Sequence, residues 1–431
     1  MSTRFDPAGP LRGSLVPPPD KSVSHRAALI AAMGEGETTI ENYLDADDTN
    51  STLAAIVALG AEVHGMGRSS GEARVRVEGA GLRGASPAGI DVGNAGTLLR
   101  LLPGWLAGQE TGAWMLDGDD SIRRRPVDRI AVPLRLMGAR LDCHEDRLPP
   151  LRIEAAPLHG VEYEMPVASA QVKSCLLFAG LLAEGETRVV EPLPSRDHSE
   201  RMLAAAGAEI EHGDGVVSVR PAARLEPGEI VVPADFSSAA FFVTAALLVP
   251  GSEVVIDGVG LNPTRTGLLS VLRRMGAEID AEPEGERGGE PSGRLRVRSS
   301  HLRGAEVGGT DIPLAIDELP LVALAACFAE GETTIRDAAE LRRKESDRIA
   351  TVSEALTALG AKVETSAGGM RIEGGGGLRG GQVDSHGDHR IAMLGAIAGI
   401  ASRDGVEVVG IDAAAVSYPG FQADLGSLFR R

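Results

Sequence analysis

Cysteine is scarce in this chain: Cys143, Cys175 and Cys327 are the only three in 431 residues. An odd count without zinc-type spacing argues against a disulfide framework and against a structural zinc site. Cys175 and Cys327 fall in apolar, helix-like runs, which predicts buried thiols and fits a reducing cytoplasm. Aromatics make up only 3% of the residues, too few to build stacking platforms for bases or sugars. Positive charge is also in deficit. The formal net charge of −18 disfavours nucleic acid as a partner, although a local cationic pocket can still take a small anion. No apolar run approaches the ~20 residues a membrane span needs; the longest, 239–249, suits a buried helix. The N-terminus has no basic start followed by an apolar core, so no signal peptide is expected. There is no GxxxxGK[ST] loop to support a nucleotide-triphosphate motor or kinase of that type.

What the chain has instead is internal repetition. One unit recurs, and periodicity on this scale bears on the whole architecture. It opens with an apolar helix-like run, followed by a Gly/Glu-rich turn and a short β-type run. An amphipathic helix ending in Gly-Ala, a further β-type run, a Leu-x-Gly turn and one more strand complete it. The first turn reads Gly36-Glu37-Thr38, Gly185-Glu186-Thr187 and Gly331-Glu332-Thr333, with looser copies near Gly112, Gly251 and Gly405. Gly-Ala stops stand at 60–61, 138–139, 207–208, 276–277 and 360–361, and glycine after a helix is a recognised stop signal. The Leu-x-Gly turn occurs at Leu82, Leu158, Leu302 and Leu378, and loosely at Leu225. Its remaining copy is at the opposite end of the chain, at Leu11-Arg12-Gly13. The N-terminal strand is therefore expected to complete the last repeat.

The expected architecture is α/β: two similar domains, each of three repeated α/β units. One comprises 1–20 plus 233–431, and the other 21–232. Two chain crossings would form a two-strand hinge, able to close over ligand.

Each apolar helix is preceded by a polar cluster: Asp20-Lys21-Ser22-Val23-Ser24-His25-Arg26, Asn94-Ala95-Gly96-Thr97, Ser169-Ala170-Gln171-Val172-Lys173, Asp235-Phe236-Ser237-Ser238, Asp317-Glu318 and Asp388-His389-Arg390. Converging helix N-termini make an anion receptor. The same Ser, Asp and Asn residues also serve as plain N-caps, and both readings stand for Asp235, Ser237 and Asp317. Capping does not account for Lys21, Arg26 and Arg390, whose charges need partners beside apolar helices. Two other basic clusters stand out, Arg123-Arg124-Arg125-Pro126-Val127-Asp128-Arg129 and Leu341-Arg342-Arg343-Lys344-Glu345-Ser346-Asp347-Arg348. A solvated turn or a surface helix laced with ion pairs is the plain alternative for each. Asp384-Ser385-His386-Gly387-Asp388-His389 offers carboxylates and imidazoles that could hold zinc in principle.

Taken in order, Asp20-Lys21-Ser22-x-Ser24-His25-Arg26, Asn94-Ala95-Gly96-Thr97-x-x-Arg100, Arg125-Pro126, Lys344-Glu345-Ser346-Asp347-Arg348 and Asp388-His389-Arg390 resemble the successive signatures of the 5-enolpyruvylshikimate-3-phosphate (EPSP) synthase family. Ser169-Ala170-Gln171-Val172-Lys173, Arg196-Asp197-His198-Ser199-Glu200 and Asn262-Pro263-Thr264-Arg265 resemble its class II members. The resemblance implies two inside-out α/β barrel domains of three units each, in agreement with the repeats. It also implies an enolpyruvyl transferase of aromatic amino-acid biosynthesis that acts on phosphoenolpyruvate and shikimate 3-phosphate by addition and elimination. Such an enzyme would need no metal or other cofactor, no nucleic acid and no membrane; it would be a cytoplasmic monomer.

The resemblance implies Asp317 and Glu345 as acid/base residues, assisted by Lys344 and Lys21. Lys21, Asn94, Gly96, Arg125, Gln171, Arg348 and Arg390 would hold phosphoenolpyruvate. Lys21, Ser22, Arg26, Ser169, Ala170, Gln171, Ser195, Arg196, Asp317 and Lys344 would hold shikimate 3-phosphate, with Ala170 contributing only backbone. The rival readings are the sister transferase acting on UDP-N-acetylglucosamine and a non-catalytic repeat scaffold. The Gly118-Asp119-Asp120-Ser121 loop lacks the cysteine usual in the sister family, though Asp can replace it there; the Lys344-Glu345-Ser346-Asp347-Arg348 motif and the missing Lys-Asn pair at Lys21-Ser22 weigh more heavily against the first.

Overall fold

Burial is what separates the two kinds of helix in each repeat. Phe236–Leu248 is buried at every position, and Leu319–Phe328 at all but the last. Asp47–Ala58 and Arg348–Ala358 instead bury one side only, as their mixed sequences require. The structure, a computed structural model, describes residues 2–65 and 74–429. Residues 1, 66–73, 430 and 431, which the expected domain spans include, lie outside the described residues.

The chain divides into two compact units. One comprises Met1–Pro18, Ala234–Gly285 and Pro291–Arg431; the other comprises Pro19–Pro233 and Glu286–Glu290. Each has its own apolar core.

In the Pro19–Pro233 unit the fully buried helices are Lys21–Met33, Gly96–Ala107 and Ala170–Gly180. Three four-stranded sheets accompany them. In each sheet the first strand of a repeat pairs in parallel with the strand that follows a Leu-x-Gly turn, and antiparallel with a hairpin. Strand Gly89–Asp91 of the first repeat joins Ala113–Asp117 of the second, and Glu162–Glu164 joins Thr187–Val190 of the third. The last strand, Glu229–Val231, returns to Glu37–Glu41 of the first repeat, with Ile230 opposite Ile40. The three repeats thus close into a ring, which leaves no repeat with an unpaired donor strand.

The other unit closes in the same way by using the chain's N-terminus. Ser2–Phe5 pairs antiparallel with Val406–Val409 of the sixth repeat, and Arg12–Leu15, after the Leu11 turn, pairs in parallel with Glu253–Gly260 of the fourth. Leu11 itself is fully buried. The N-terminal segment therefore completes the last repeat, as its displaced turn implied, and also supplies the fourth.

All five Gly-Ala stops have their glycine at φ between 95° and 103°, a conformation that costs a side-chain-bearing residue. Between the stop and the Leu-x-Gly turn the sequence suggested one β-type run, but the structure has a hairpin. The clearest are Arg140–His144 with Leu148–Glu154 and Lys362–Ser366 with Gly369–Glu373. The tight turns, such as Glu145-Asp146 with both residues at positive φ, are too short to break the apolar pattern. Among the described residues no helix is long and apolar enough to cross a membrane. Cys175 and Cys327 are buried free thiols and Cys143 is a partly buried one; burial pushes Cys327 up to about 12.

Candidate active site

In the Pro19–Pro233 unit the polar clusters at the helix starts carry both caps and unspent cations. Asp20 caps the Lys21 helix by accepting from the Val23 amide at 2.9 Å. Ser169 does the same for the third buried helix, accepting from Val172 at 3.4 Å. Lys21 reaches Asp48, with Nζ 3.0 Å from Oδ2. This is its one pairing among the described residues, so an ammonium with three hydrogens keeps donors for an anion. Burial pushes the Asp48 carboxyl up, but Lys21, His25 and Arg125 outweigh it and hold Asp48 below the usual range. His25 is buried with Nδ1 2.6 Å from Thr52 Oγ1. Burial, aided by Lys21, lowers its pKa to about 3, so the ring stays neutral at physiological pH.

Arg26 is buried rather than open. Its Nε donates to Ser199 at 2.8 Å, Nη1 to the Ser22 carbonyl at 3.0 Å and Nη2 to Ser174 at 3.1 Å. Burial lowers its pKa to about 10, still far above neutrality. Arg125 donates through Nη2 to Asn94 Oδ1 at 2.9 Å and to Ser121 at 3.4 Å. Its Nε and Nη1 hydrogens are not used in these contacts. Asn94 is fixed in turn by Asp119 at 2.7 Å. A Cβ on Gly96 would lie 2.7 Å from Arg125 Nη1, so the absence of a side chain there keeps the guanidinium in place. Arg100 donates to Gln171 Oε1 at 3.0 Å, and Gln171 Nε2 reaches Thr97 at 3.4 Å. Lys21, Asn94, Gly96 and Gln171 therefore sit at helix starts of one unit, and Arg125, at the end of the Ile122–Arg124 turn, reaches Asn94. Arg123, in contrast, is an exposed partner of Asp117 at 2.8 Å, as a solvated turn would have it. Ser195 donates its hydroxyl hydrogen to Glu191, which leaves it lone pairs alone for a ligand; Arg196 follows it directly.

The second cluster lies in the other unit and centres on Arg348, which is 1% exposed. Its Nε and Nη2 grip Asp388 at 2.9 and 3.3 Å, Nη2 also meets Glu345 at 2.6 Å, and Nη1 meets Asp317 at 3.4 Å. Four of its five donor hydrogens are thereby engaged. The solvated-helix alternative fails for this arginine, and the helix begins at Arg348 itself. Burial works against its charge, but Glu345, Asp388 and Asp317 outweigh burial and raise its pKa.

Asp317 is not a helix cap. The cap position belongs to Glu318, which makes no side-chain cap bond. Asp317 instead gathers cations: Lys344 Nζ at 3.3 Å, Arg348 at 3.4 Å and Arg390 Nη2 at 3.9 Å. Arg390 also donates to the Asp317 carbonyl at 3.2 Å and to Ser237 at 3.1 Å. Burial pushes the Glu345 carboxyl up, but Arg348, His389 and Lys344 more than reverse this and hold it well below the usual carboxylate range.

Several residues that the sequence placed in a polar cluster without an assigned ligand role form a further network. Glu318, fully buried, accepts from Arg265 at 3.0 and 3.2 Å and from Ser237, while Asp235 both caps Ser237 at 2.8 Å and lies 3.6 Å from Arg265. Asp235 is thus cap and network member at once, while Ser237 is capped by it and joins the network through its hydroxyl. Asp48 gives no signal beyond being a carboxylate near a helix start, and the motif that contains Asp388 does not show that its partner is Arg348. The zinc reading of 384–389 does not hold: Asp388 is taken by Arg348 and His386 lies 3.3 Å from Glu354. Among the described residues no group of three or more His, Cys, Asp or Glu is placed to hold a metal ion.

A family model described as EPSP synthase (3-phosphoshikimate 1-carboxyvinyltransferase) matches residues 5–425. The chain belongs to the EPSP synthase family. Similar members of that family include the 3-phosphoshikimate 1-carboxyvinyltransferases of Synechococcus sp. strain JA-3-3Ab and Thermus thermophilus. The first is 50% identical over 97% of this chain and 94% of its own length, the second 51% identical over 98% and 97%. The solved EPSP synthase of Acinetobacter baumannii has 39% identity and a TM-score of 0.89, covering 99% of this chain and 98% of that one. The likeness over both lengths makes this chain an α/β enolpyruvyl transferase of the EPSP synthase fold, as its motifs implied.

Proposed function

We propose that this protein transfers the enolpyruvyl group of phosphoenolpyruvate to the 5-hydroxyl of shikimate 3-phosphate, releasing phosphate, as a cytoplasmic monomer in the route to aromatic amino acids. The observation that carries the chemistry is the Arg348 cluster, in which Asp317 and Glu345 share one buried cation within a family member. In the addition step the 5-hydroxyl oxygen attacks C2 of phosphoenolpyruvate, its hydrogen passes to a carboxylate, and C3 takes up a proton. In the elimination step the C2–O bond to phosphate breaks and the methyl carbon gives back a proton. Glu345, kept ionised by Arg348, His389 and Lys344, begins the cycle able to accept a proton. Asp317, ringed by Lys344, Arg348 and Arg390, is the second acid/base group. Lys344 beside both carboxylates assists the transfer. No step in this scheme calls for a metal.

Lys21 and Arg125 have unspent donors and are assigned to the phosphate and carboxylate of phosphoenolpyruvate, with Asn94, Gly96, Gln171 and Arg390. Arginine suits this role because its fork meets an oxyanion at two points. Arg348, nearly saturated by carboxylates, serves chiefly to hold Asp317 and Glu345, with one Nη1 hydrogen left for ligand. Shikimate 3-phosphate is assigned to Ser22, Arg26, Ser169, Gln171 and the Ser195-Arg196 segment, with the Ala170 amide adding a backbone donor, and to Lys21, Asp317 and Lys344. Calorimetric titration with shikimate 3-phosphate tests the assignment: saturable heat is expected, and no binding at millimolar ligand would favour a non-catalytic scaffold.

A further inference from the structure

Lys173 is a lysine inside an apolar helix, 1% exposed, in a position where an unpaired ammonium would be costly. It is fully partnered. Nζ lies 2.8 Å from Glu191 Oε2 and 2.6 Å from Glu200 Oε1, and the two carboxylates are 7% and 1% exposed. It also donates to the Ser195 carbonyl at 3.4 Å. Glu191 uses its other oxygen to accept the Ser195 hydroxyl. One ammonium therefore fixes Ser195 twice, directly at the backbone and through Glu191 at the side chain. Glu191 is anchored by its own amide, which donates to Gly215 at 2.8 Å. Glu200 sits in the first turn of the His198–Ala205 helix, where a carboxylate also suits the helix dipole.

The same network reaches Arg26. Ser199, next to Glu200, accepts from Arg26 and donates to Ser174 at 2.6 Å, the neighbour of Lys173. Arg26 and Lys173 thus stand in one buried network with Ser174, Ser199, Glu191 and Glu200. Lys173 itself rides on the helix that begins with Ala170-Gln171, one turn after Ser169. Three segments assigned above to the acceptor, at Ser22-Arg26, Ser169-Gln171 and Ser195-Arg196, thus meet on one buried ion cluster that touches no reacting atom in the proposed scheme.

We infer that Lys173, with Glu191 and Glu200, is a positioning residue for the acceptor: it sets the Ser195-Arg196 segment in its binding geometry before ligand arrives. This rests on the acceptor proposed above. The loss of preorganisation should be felt chiefly by one substrate, because the ammonium's contacts run to Ser195, Glu191 and Glu200, none of them assigned to phosphoenolpyruvate.

The test is steady-state kinetics of the full-length enzyme, varying each substrate separately. For Lys173→Met, KM for shikimate 3-phosphate is expected to rise about tenfold or more, while KM for phosphoenolpyruvate stays within about twofold and kcat within about threefold. Lys173→Met/Glu200→Gln removes one charge of each sign and covers the case in which the single variant does not fold. Thermal stability should recover in it, but KM for shikimate 3-phosphate should stay high, because Glu191 and the Ser195 carbonyl still lack the ammonium. A double variant whose KM returns to the wild-type value makes the role structural only and overturns the inference. Equal rises in both KM values, or no rise in either, overturn it as well. Wild-type enzyme that turns over with unaffected variants sinks this inference alone; wild-type enzyme without turnover sinks the proposed reaction along with it.

Discussion

Burial would push the Glu345 carboxyl towards its neutral form, yet Arg348, His389 and Lys344 keep it charged well below its usual range. A carboxylate held in this way stays ionised in mild acid, with its proton site open at the start of the cycle. Glu345→Gln keeps the shape and removes the proton site. Turnover should fall about 10²-fold or more, the scale of a lost general acid/base, with binding of shikimate 3-phosphate little changed; a variant within about twofold of wild type in kcat would remove Glu345 from the chemistry.

His25 makes the opposite case. Its folded pKa of about 3 lies below the ordinary histidine value of 6.5, so between these values the unfolded chain binds a proton that the folded chain refuses. Stability from this residue is intact above pH 6.5 and falls as pH drops towards 3, at up to about 1.4 kcal/mol per pH unit. His25→Gln has no such slope. Urea unfolding at pH 4.5 and pH 7 should show the variant gaining on wild type as pH falls; a pH-independent difference would contradict a neutral buried imidazole. The role of His25 could not be read from its motif, because Thr52, its partner, is 27 positions away. The same holds for Asp48, Asp388 and Glu318. Sequence marks a cation that needs a partner, but only folding brings the carboxylate to it.

Helices and strands were more legible than these contacts because each has a local cause. The apolar run, the Gly-Ala stop and the Leu-x-Gly turn are each contiguous in sequence, and each recurs where the element is found. What escaped were short turns such as Glu145-Asp146, which split one β-type run into a hairpin, and the closeness of helix pairs. Gly104 illustrates the second. It looks like one more small residue in an apolar run, yet a Cβ there would lie 2.0 Å from the Cys175 carbonyl oxygen of the neighbouring buried helix. Gly104→Ala should force the Gly96–Ala107 and Ala170–Gly180 helices apart, which costs roughly 1–3 kcal/mol on the scale of core overpacking. Thermal or urea unfolding reads this directly; an unchanged midpoint would mean that the two backbones do not pack so closely.

For the molecule as a whole, the displaced Leu11 turn was the informative mark, because it implied that the N-terminal strand completes the last repeat. Both units close into a ring, one through Glu229–Val231 and the other through Ser2–Phe5 and Arg12–Leu15. Ring closure fixes where the buried helices start, and those starts carry several of the residues proposed above to hold the ligands. It also explains how a chain with net charge −18 can serve anionic substrates: unspent Lys and Arg donors are gathered at those few positions, and a local field of this kind outweighs the mean charge. The reaction is tested most directly by phosphate release from phosphoenolpyruvate, measured with shikimate 3-phosphate and, separately, with UDP-N-acetylglucosamine as acceptor. Sustained release with shikimate 3-phosphate alone is the predicted result. Release only with UDP-N-acetylglucosamine, or with neither acceptor, would contradict it.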